Sequence, residues 1–268
     1  MPEKPILYLG DLSLATAAGY LTGLMTMWDV GYDYLPTDAT VNGEASEPRS
    51  LFILSDYPAK HMPRDVQETI ARKVEAGAGL IMIGGWESYH GFGGDWDNTL
   101  IGDILPVDID HTDDRVNCDQ PALVRRIKNH PIVDGLPWDQ RPPMIGGFNK
   151  FTPKPDAEVL LDVQRFEAHR SNGHIDFRPV DEQPMLVVGR HGRGRVACLA
   201  TDIAPHWVGG LVDWGAGPRI ITEAPGSWAI EVGTYYAKFL HNLLTWCGRL
   251  DETKVPIHDR GKSLVATS

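Results

Sequence analysis

Cysteine is scarce: Cys118, Cys198 and Cys247 are the only three. They are odd in number and widely spaced, with no CxxC pair. That excludes a disulfide framework and a thiol-based zinc or redox motif, and it fits reduced thiols in a cytoplasmic protein. Basic charge is in deficit as well. Lys and Arg number 25 against 36 Asp and Glu, a formal net charge of −11. A chain this acidic is expected to bind neither nucleic acid nor an anionic membrane surface, because both require basic patches. No apolar run approaches the ~18 residues of a membrane span. There is no internal repeat and no low-complexity segment. The N-terminal Met1-Pro2-Glu3-Lys4-Pro5 leads straight into a strand-like run, so no signal peptide is expected.

What remains is the profile of an ordinary globular chain. Its 268 residues are 42% hydrophobic and 23% charged, enough for one sizeable core. Residues 1–250 are expected to form one domain, and 251–268, polar and without periodicity, a C-terminal tail. Ile6-Leu7-Tyr8-Leu9, closed by Gly10-Asp11, reads as a buried strand. Ser13 can cap the helix that follows, where Leu14, Ala17, Ala18, Leu21, Met25 and Trp28 form one apolar face. Tyr32 to Leu35 suggests a second strand, and 36–48 a loop. Leu51 to Leu54 reads as a third strand, ending at Ser55-Asp56. Pro63 opens a helix that stops at Gly77, and Gly79 to Ile83 forms a fourth strand running into Gly84-Gly85-Trp86-Glu87-Ser88. Short apolar strands alternating with amphipathic helices predict a mostly parallel α/β sheet. Ligands of such sheets sit beyond the C-terminal strand ends, so Asp11, Asp56 and the 84–94 loop are expected on one rim.

The middle is less regular. Ile101 to Val107 suggests a short helix entering a strand, and Asp113-Asp114-Arg115 and Cys118 a polar loop. Pro142, Pro143, Pro153 and Pro155 exclude a long regular element over 138–156. Glu158 to Val163 is strand-like, and 164–183 reads as a polar excursion. Met185 to Gly189 and Arg195 to Ala200, joined through Gly192 and Gly194, predict an antiparallel hairpin. A long amphipathic helix is expected to end at Gly248.

Several segments carry a family signature: Gly79 to Gly85, Asp113-Asp114-Arg115-Val116, His130-Pro131-Ile132, Leu186 to Gly189 with Gly192 and Gly194-Arg195, and Asp202-Ile203-Ala204-Pro205-His206-Trp207. In this order the chain, over roughly residues 5–248, resembles an uncharacterised branch of the class I glutamine amidotransferase-like superfamily. It is more distantly similar to the trehalose-utilisation ThuA proteins. The resemblance implies a flavodoxin-like three-layer αβα sandwich. It also exposes a departure. Class I amidotransferases place a nucleophilic Cys in the sharp turn after a strand, where backbone N–H groups and a paired His activate the thiolate. The corresponding turn here reads Gly84-Gly85-Trp86-Glu87. Glutamine hydrolysis through a thioester is therefore not expected.

Other groups at the rim can carry chemistry. The resemblance puts His206 roughly where the amidotransferase fold keeps its catalytic His, and Asp202 four residues earlier can orient it. The alternative is a capping Asp and a packed turn. Glu87 is a candidate acid/base, and Gly84 and Gly85 allow a close backbone approach to a ligand. Trp86, Ser88 and His90 in the same loop are candidate ligand contacts, or plain solvated residues. Asp11 and Asp56 can raise each other's pKa, hold a cation with His206, or simply cap helices; no metal site and no cofactor is assigned. Asp114 and Arg115 are divided between ligand contact and subunit interface. Trp207, with Trp86, Tyr89, Phe92, Trp96 and Trp214, forms an aromatic set suited to a sugar or planar ring, or to packing. ThuA kinship points weakly to carbohydrate-type substrates.

Two readings follow. One is a small-molecule hydrolase or lyase using Asp202, His206 and Glu87. The other is a non-catalytic ligand-binding or assembly protein on an amidotransferase fold that lost its nucleophile. In both, a small molecule and further copies of the chain, as a homo-oligomer, are the expected partners.

Overall fold

The computed structural model describes residues 5–250. The expected tail over 251–268 lies outside the described residues.

Five strands form the parallel half of one sheet: β1 (Ile6–Gly10), β2 (Tyr32–Leu35), β3 (Leu51–Ser55), β4 (Gly79–Ile83) and β11 (Gly194–Leu199). β1, β3 and β4 are buried along their whole length, as strands covered on both faces must be. The sheet continues with β6 (Arg115–Arg126), β7 (Met144–Asn149), β9 (Glu158–Ser171) and β10 (His174–His191). Its order is β2-β1-β3-β4-β11-β10-β9-β6-β7, parallel up to β11 and antiparallel beyond it. The α/β class holds. The sheet is not mostly parallel, however: its antiparallel part is as extensive as its parallel part. Two small sheets pair β5 (Val107–Ile109) with β8 (Phe151–Pro153) and β12 (Ile220–Thr222) with β13 (Ile230–Val232).

The helices follow their apolar stripes. α1 (Ala18–Met27) buries Ala18, Leu21, Leu24 and Met25, and α2 (Arg64–Glu75) buries Val66, Ile70 and Val74. α3 (Leu100–Ile104) is short and is capped by the Thr99 hydroxyl, which accepts from the Gly102 N–H at 3.0 Å. α4 (Thr234–Gly248) buries Phe239, Leu240, Leu243, Leu244 and Cys247, and its Cys247 carbonyl leaves no room for a side chain at Gly79.

Three local expectations are corrected. α1 begins after Ala17, with no side-chain cap; Ser13 instead forms a preceding turn, its carbonyl accepting from the Thr16 N–H at 3.1 Å. Cys118 lies inside β6 rather than in a loop, at a position where β6 bulges away from β7 between Asn117 and Ala122. Residues 164–183 continue β9 and β10 as a hairpin arm, reversed at Asn172 (φ 50°) and Gly173 (φ 84°). Positive φ at both central residues is what a two-residue hairpin turn requires, and Asn-Gly supplies it most readily. The hairpin β10–β11, pairing Leu186 with Leu199 through His191 with Gly194, matches the predicted runs.

Candidate functional site

Parallel pairing brings the C-terminal ends of β1, β3, β4 and β11 to one edge. Each strand there delivers an acidic or glycine-rich turn. Asp11 and Asp56 leave β1 and β3 with φ of 49° and 46°, a conformation that Asp tolerates better than most residues. The two turns are stitched together: the Asp11 N–H donates to the Ser55 carbonyl at 2.8 Å, and a side chain at Gly10 would collide with that same carbonyl.

Three carboxylates gather at this edge: Asp11, Asp56 and Asp202. Asp11 is 2% exposed and Asp202 6%, whereas Asp56 is half-buried. None of the three forms an ion pair among the described residues. Asp11 accepts the Tyr8 hydroxyl through Oδ2, while its Oδ1 has no partner. The Tyr34 hydroxyl donates to the Asp11 carbonyl at 2.7 Å. Asp56 Oδ1 accepts the Glu87 N–H at 2.8 Å, and the Asp56 N–H donates to Ser88 Oγ at 3.0 Å. Asp202 Oδ1 accepts the N–H groups of Ile203 (2.5 Å) and Ala204 (3.0 Å).

Burial without a countercharge disfavours ionisation, and each carboxylate makes it harder for the others to ionise. Burial, then Asp202 and Asp56, pushes Asp11 well above the usual carboxylate range. Burial and then the Asp202 charge push Asp56 up to about 7, against the opposing N–H bonds from Glu87 and Trp86. Burial pushes Asp202 up to about 6, held back by its two N–H donors. The titration of Asp11 and Asp56 is tied to that of Asp202, whose charge raises both.

The loop after β4 wraps this cluster. The Gly84 N–H donates to the Leu199 carbonyl at 2.7 Å. Gly85 passes so close to Asp56 that a Cβ there would lie 2.1 Å from Oδ1, which explains the need for glycine. Asn149, at the end of β7, holds the loop from behind. Its Oδ1 accepts the Gly85 N–H at 2.9 Å, and its Nδ2 donates to Asp114 Oδ1 at 2.7 Å. Asp114 is itself buried and accepts the N–H groups of His90 (3.0 Å) and Gly91 (3.1 Å), so it anchors the far side of the loop.

Above the cluster lies an aromatic shelf. Trp86 is 45% and Phe92 69% exposed, and the Arg115 guanidinium lies between them, 4.5 Å and 5.0 Å from their ring centres. Asp113 holds that guanidinium through two bonds of 2.8 and 2.7 Å. His206 is exposed and tilts against Trp86, with ring centres 5.9 Å apart.

The structure thus brings Asp11, Asp56, Asp202, Gly84, Gly85, Glu87 and Ser88 together at the rim, and Trp86, Arg115 and His206 on the shelf. Asp202 does not hydrogen-bond His206; its carboxylate caps the turn instead. His90 turns toward Asp97, its Nδ1 2.7 Å from Oδ1. Trp207 is buried, its ring N–H donating to Asn117 Oδ1 at 2.8 Å and its ring lying over Gly147. Among the described residues, no group of three or more His, Cys, Asp or Glu is placed to hold a metal ion. Tyr8, Ser55 and Asn149 were not foreseen. Tyr8 precedes the rim by three residues on a strand already assigned, which is a usable signal. Asn149 carries none, because its partners lie 64 and 35 residues away.

None of the cysteines is at this edge. Cys198 pairs with Met82 and Val187 inside the sheet, where burial pushes its thiol up to about 12, and Cys247 is buried in α4.

The family model described as "Putative glutamine amidotransferase" (GATase1-like) matches residues 50–223, most of the chain and the whole span from β3 through β11. The chain belongs to this family. No curated protein matches it. Among solved structures, this GATase1-like chain is similar to two cytoplasmic proteins of Salmonella typhimurium. The first has a TM-score of 0.69 at 21% identity, covering 91% of this chain and 98% of that one. The second has a TM-score of 0.66 at 24% identity, covering 90% and 98%. A ThuA-like protein of Parabacteroides merdae follows, with a TM-score of 0.56 at 12% identity and coverage of 92% and 90%. At these identities the likeness is one of fold. No helix among the described residues is long and apolar enough to cross a membrane.

Proposed function

We propose that this GATase1-like protein is a small-molecule hydrolase or lyase that works by carboxylate acid/base chemistry, without a thiol nucleophile. The observation that carries this reading is the Asp11–Asp56–Asp202 cluster at the rim, where burial and the Asp202 charge push the half-buried Asp56 up to about 7. A group with a pKa near the working pH both gives and takes protons efficiently. Asp56 is the proton-transfer group. Burial and the Asp202 charge keep its proton on. Glu87 is a second acid/base group beside it, and His206 and Trp86 border the substrate. Gly84, Gly85 and Ser88 bring backbone and hydroxyl close to the reacting atoms. The turn after β4 reads Gly84-Gly85-Trp86-Glu87, with no thiol, so the thioester route of glutamine hydrolysis is not part of this proposal.

The exposed Trp86 and Phe92 rings suit the apolar face of a sugar or another ring, in keeping with a carbohydrate-type substrate. The parallel order 2-1-3-4 supports the flavodoxin-like three-layer arrangement as the frame of this site. We take the protein to be cytoplasmic and the described residues to act as one domain.

The test is turnover of a panel of glycosides, sugar lactones and simple amides, followed by NMR, with Asp56→Asn, Glu87→Gln and His206→Ala variants. Loss of at least a hundredfold in kcat for Asp56→Asn is expected. Turnover unchanged in all three variants overturns the assignment. A second reading is favoured by the Asp202 geometry, since its carboxylate is occupied by backbone N–H groups rather than by His206. In that reading the rim binds a ligand without transforming it. A panel compound that raises the thermal midpoint and is recovered intact after long incubation establishes it.

A further inference from the structure

Two of the segments that carry the family signature take no part in the rim: His130-Pro131-Ile132, and the β10–β11 turn with Gly192, Gly194 and Arg195. The fold brings them together at the opposite edge of the sheet. Both meet Trp246, near the end of α4. The His130 ring packs edge-on against Trp246 with ring centres 4.8 Å apart, and the Arg195 guanidinium lies 5.0 Å from the centre of the same ring. β11 thus carries Arg195 at its start and delivers Asp202 beyond its end. At about 3.3 Å per residue the two ends are roughly 20 Å apart.

This edge is crowded with positive charge. Arg190 stands directly opposite Arg195 across β10 and β11, so the two side chains share a face. Like charges in that relation destabilise a strand pair. Arg249, just past α4, binds the turn from behind, donating to the Arg193 carbonyl at 2.6 Å and to the Gly77 carbonyl. With Lys128, five cations face two carboxylates. Glu158 is taken by Lys128 at 2.6 Å. Glu75 lies beside Gly192, and its backbone carbonyl accepts the Arg193 N–H at 2.9 Å. Among the described residues, none of the four arginines forms an ion pair. Arg195 Nη1 donates to the Trp246 carbonyl at 2.7 Å, while its buried Nε has no acceptor. The crowding is felt by its members. Burial, then the Arg249 and Arg190 charges, holds the Arg195 guanidinium below its usual value. Burial also lowers His130, and the Arg195 and Lys128 charges lower it against the pull of Glu158.

A positive excess is out of keeping with a chain of net charge −11. Backbone anchoring explains only part of it. Arg249 and Arg195 pin carbonyls, but the exposed side chains of Arg190 and Arg193 hydrogen-bond nothing among the described residues. We propose that this edge binds a phosphate group, free or carried on a small metabolite, between Arg190 and Arg195, with Arg193 and Arg249 beside them. Guanidinium forks match phosphate oxygens two at a time. The double charge of a phosphate also offsets more of the excess than a single carboxylate would. Half-buried Arg195, His130 and Trp246 form the floor, and exposed Arg190 and Arg193 the mouth. The site is separate from the rim and does not depend on what the rim does with its own ligand.

The test is titration of the full chain with inorganic phosphate, at constant ionic strength with chloride as the reference, read by calorimetry and by NMR of the histidine ring protons. Saturable binding is expected. The His130 resonances are expected to titrate at higher pH in phosphate than in chloride, because a bound anion offsets the Arg195 and Lys128 charges. Arg190→Gln, at an exposed position, is expected to weaken binding about tenfold through loss of one charge-assisted contact. Arg64→Gln, at the far end of α2, is expected to leave it unchanged. Glucose 6-phosphate separates the two sources. Tighter binding than inorganic phosphate assigns a phosphorylated metabolite, and equal or weaker binding assigns free phosphate. Phosphate that binds no better than chloride and moves His130 no further overturns the proposal, and so does a folded Arg190→Gln variant with undiminished affinity.

Discussion

Asp56 is where residue chemistry and stability meet. Its folded pKa of about 7 lies above the carboxylate value of 3.8, so the folded state holds this proton more tightly than the unfolded chain does. The stability linked to that proton is present in full below about pH 4 and is lost as pH rises through about 7. Asp202, at about 6, acts in the same direction over a slightly lower range. The thermal midpoint is therefore expected to fall between pH 5 and pH 8. Asp56→Asn, which cannot ionise, is expected to flatten that fall and to raise the midpoint at pH 8. Thermal scans across the range read this directly, and an unaltered slope in the variant contradicts the burial and repulsion invoked here. At this scale the sequence was partly legible. Asp11 and Asp56 could be placed on one rim because each closes a buried strand. The role of Asp202 could not be fixed, because the same Asp can turn toward His206 or cap its own turn, and two adjacent N–H groups captured it. Asp114 was foreseen as a ligand or interface residue and is instead a buried anchor for the 90–91 backbone.

At the scale of the element, the loop after β4 depends on one close approach. A methyl group at Gly85 would strike the Asp56 carboxylate, so Gly85→Ala must displace either the loop or the acid. A loss of about 1–3 kcal/mol is expected from such overpacking, measured by urea unfolding. The pH slope tied to Asp56 should weaken with it, which a purely local backbone effect would leave intact. The strands that border this loop were easy to read, because burial on both faces turns them into short unbroken apolar runs. The arm was not. Both of its faces meet solvent, so polar residues interrupt the alternation that marks a half-buried strand, and Asn172-Gly173 was the single strong indicator of its turn. The missing cap at Ser13 has a similar cause: a Ser–Thr pair three residues apart closes a turn of its own ahead of the helix.

At the scale of the whole molecule, only the β10–β11 hairpin of the antiparallel half was legible in the sequence; β9 and β10 run on as a hairpin whose alternation polar residues interrupt, and β6 pairs with β7 and β9 across longer irregular connections. The seam between the two halves has a consequence for how the protein is made. β4 pairs with β3 on one side, but its other neighbour is β11, Leu80 lying beside Val196. Everything between them must be synthesised first. Until then a nascent chain displays the open edge of a wholly apolar strand, the kind that recruits neighbouring chains. Closing so long a loop is also slow compared with pairing consecutive strands. Newly made chains should therefore be most vulnerable to aggregation in the interval after β4 emerges and before β11 does.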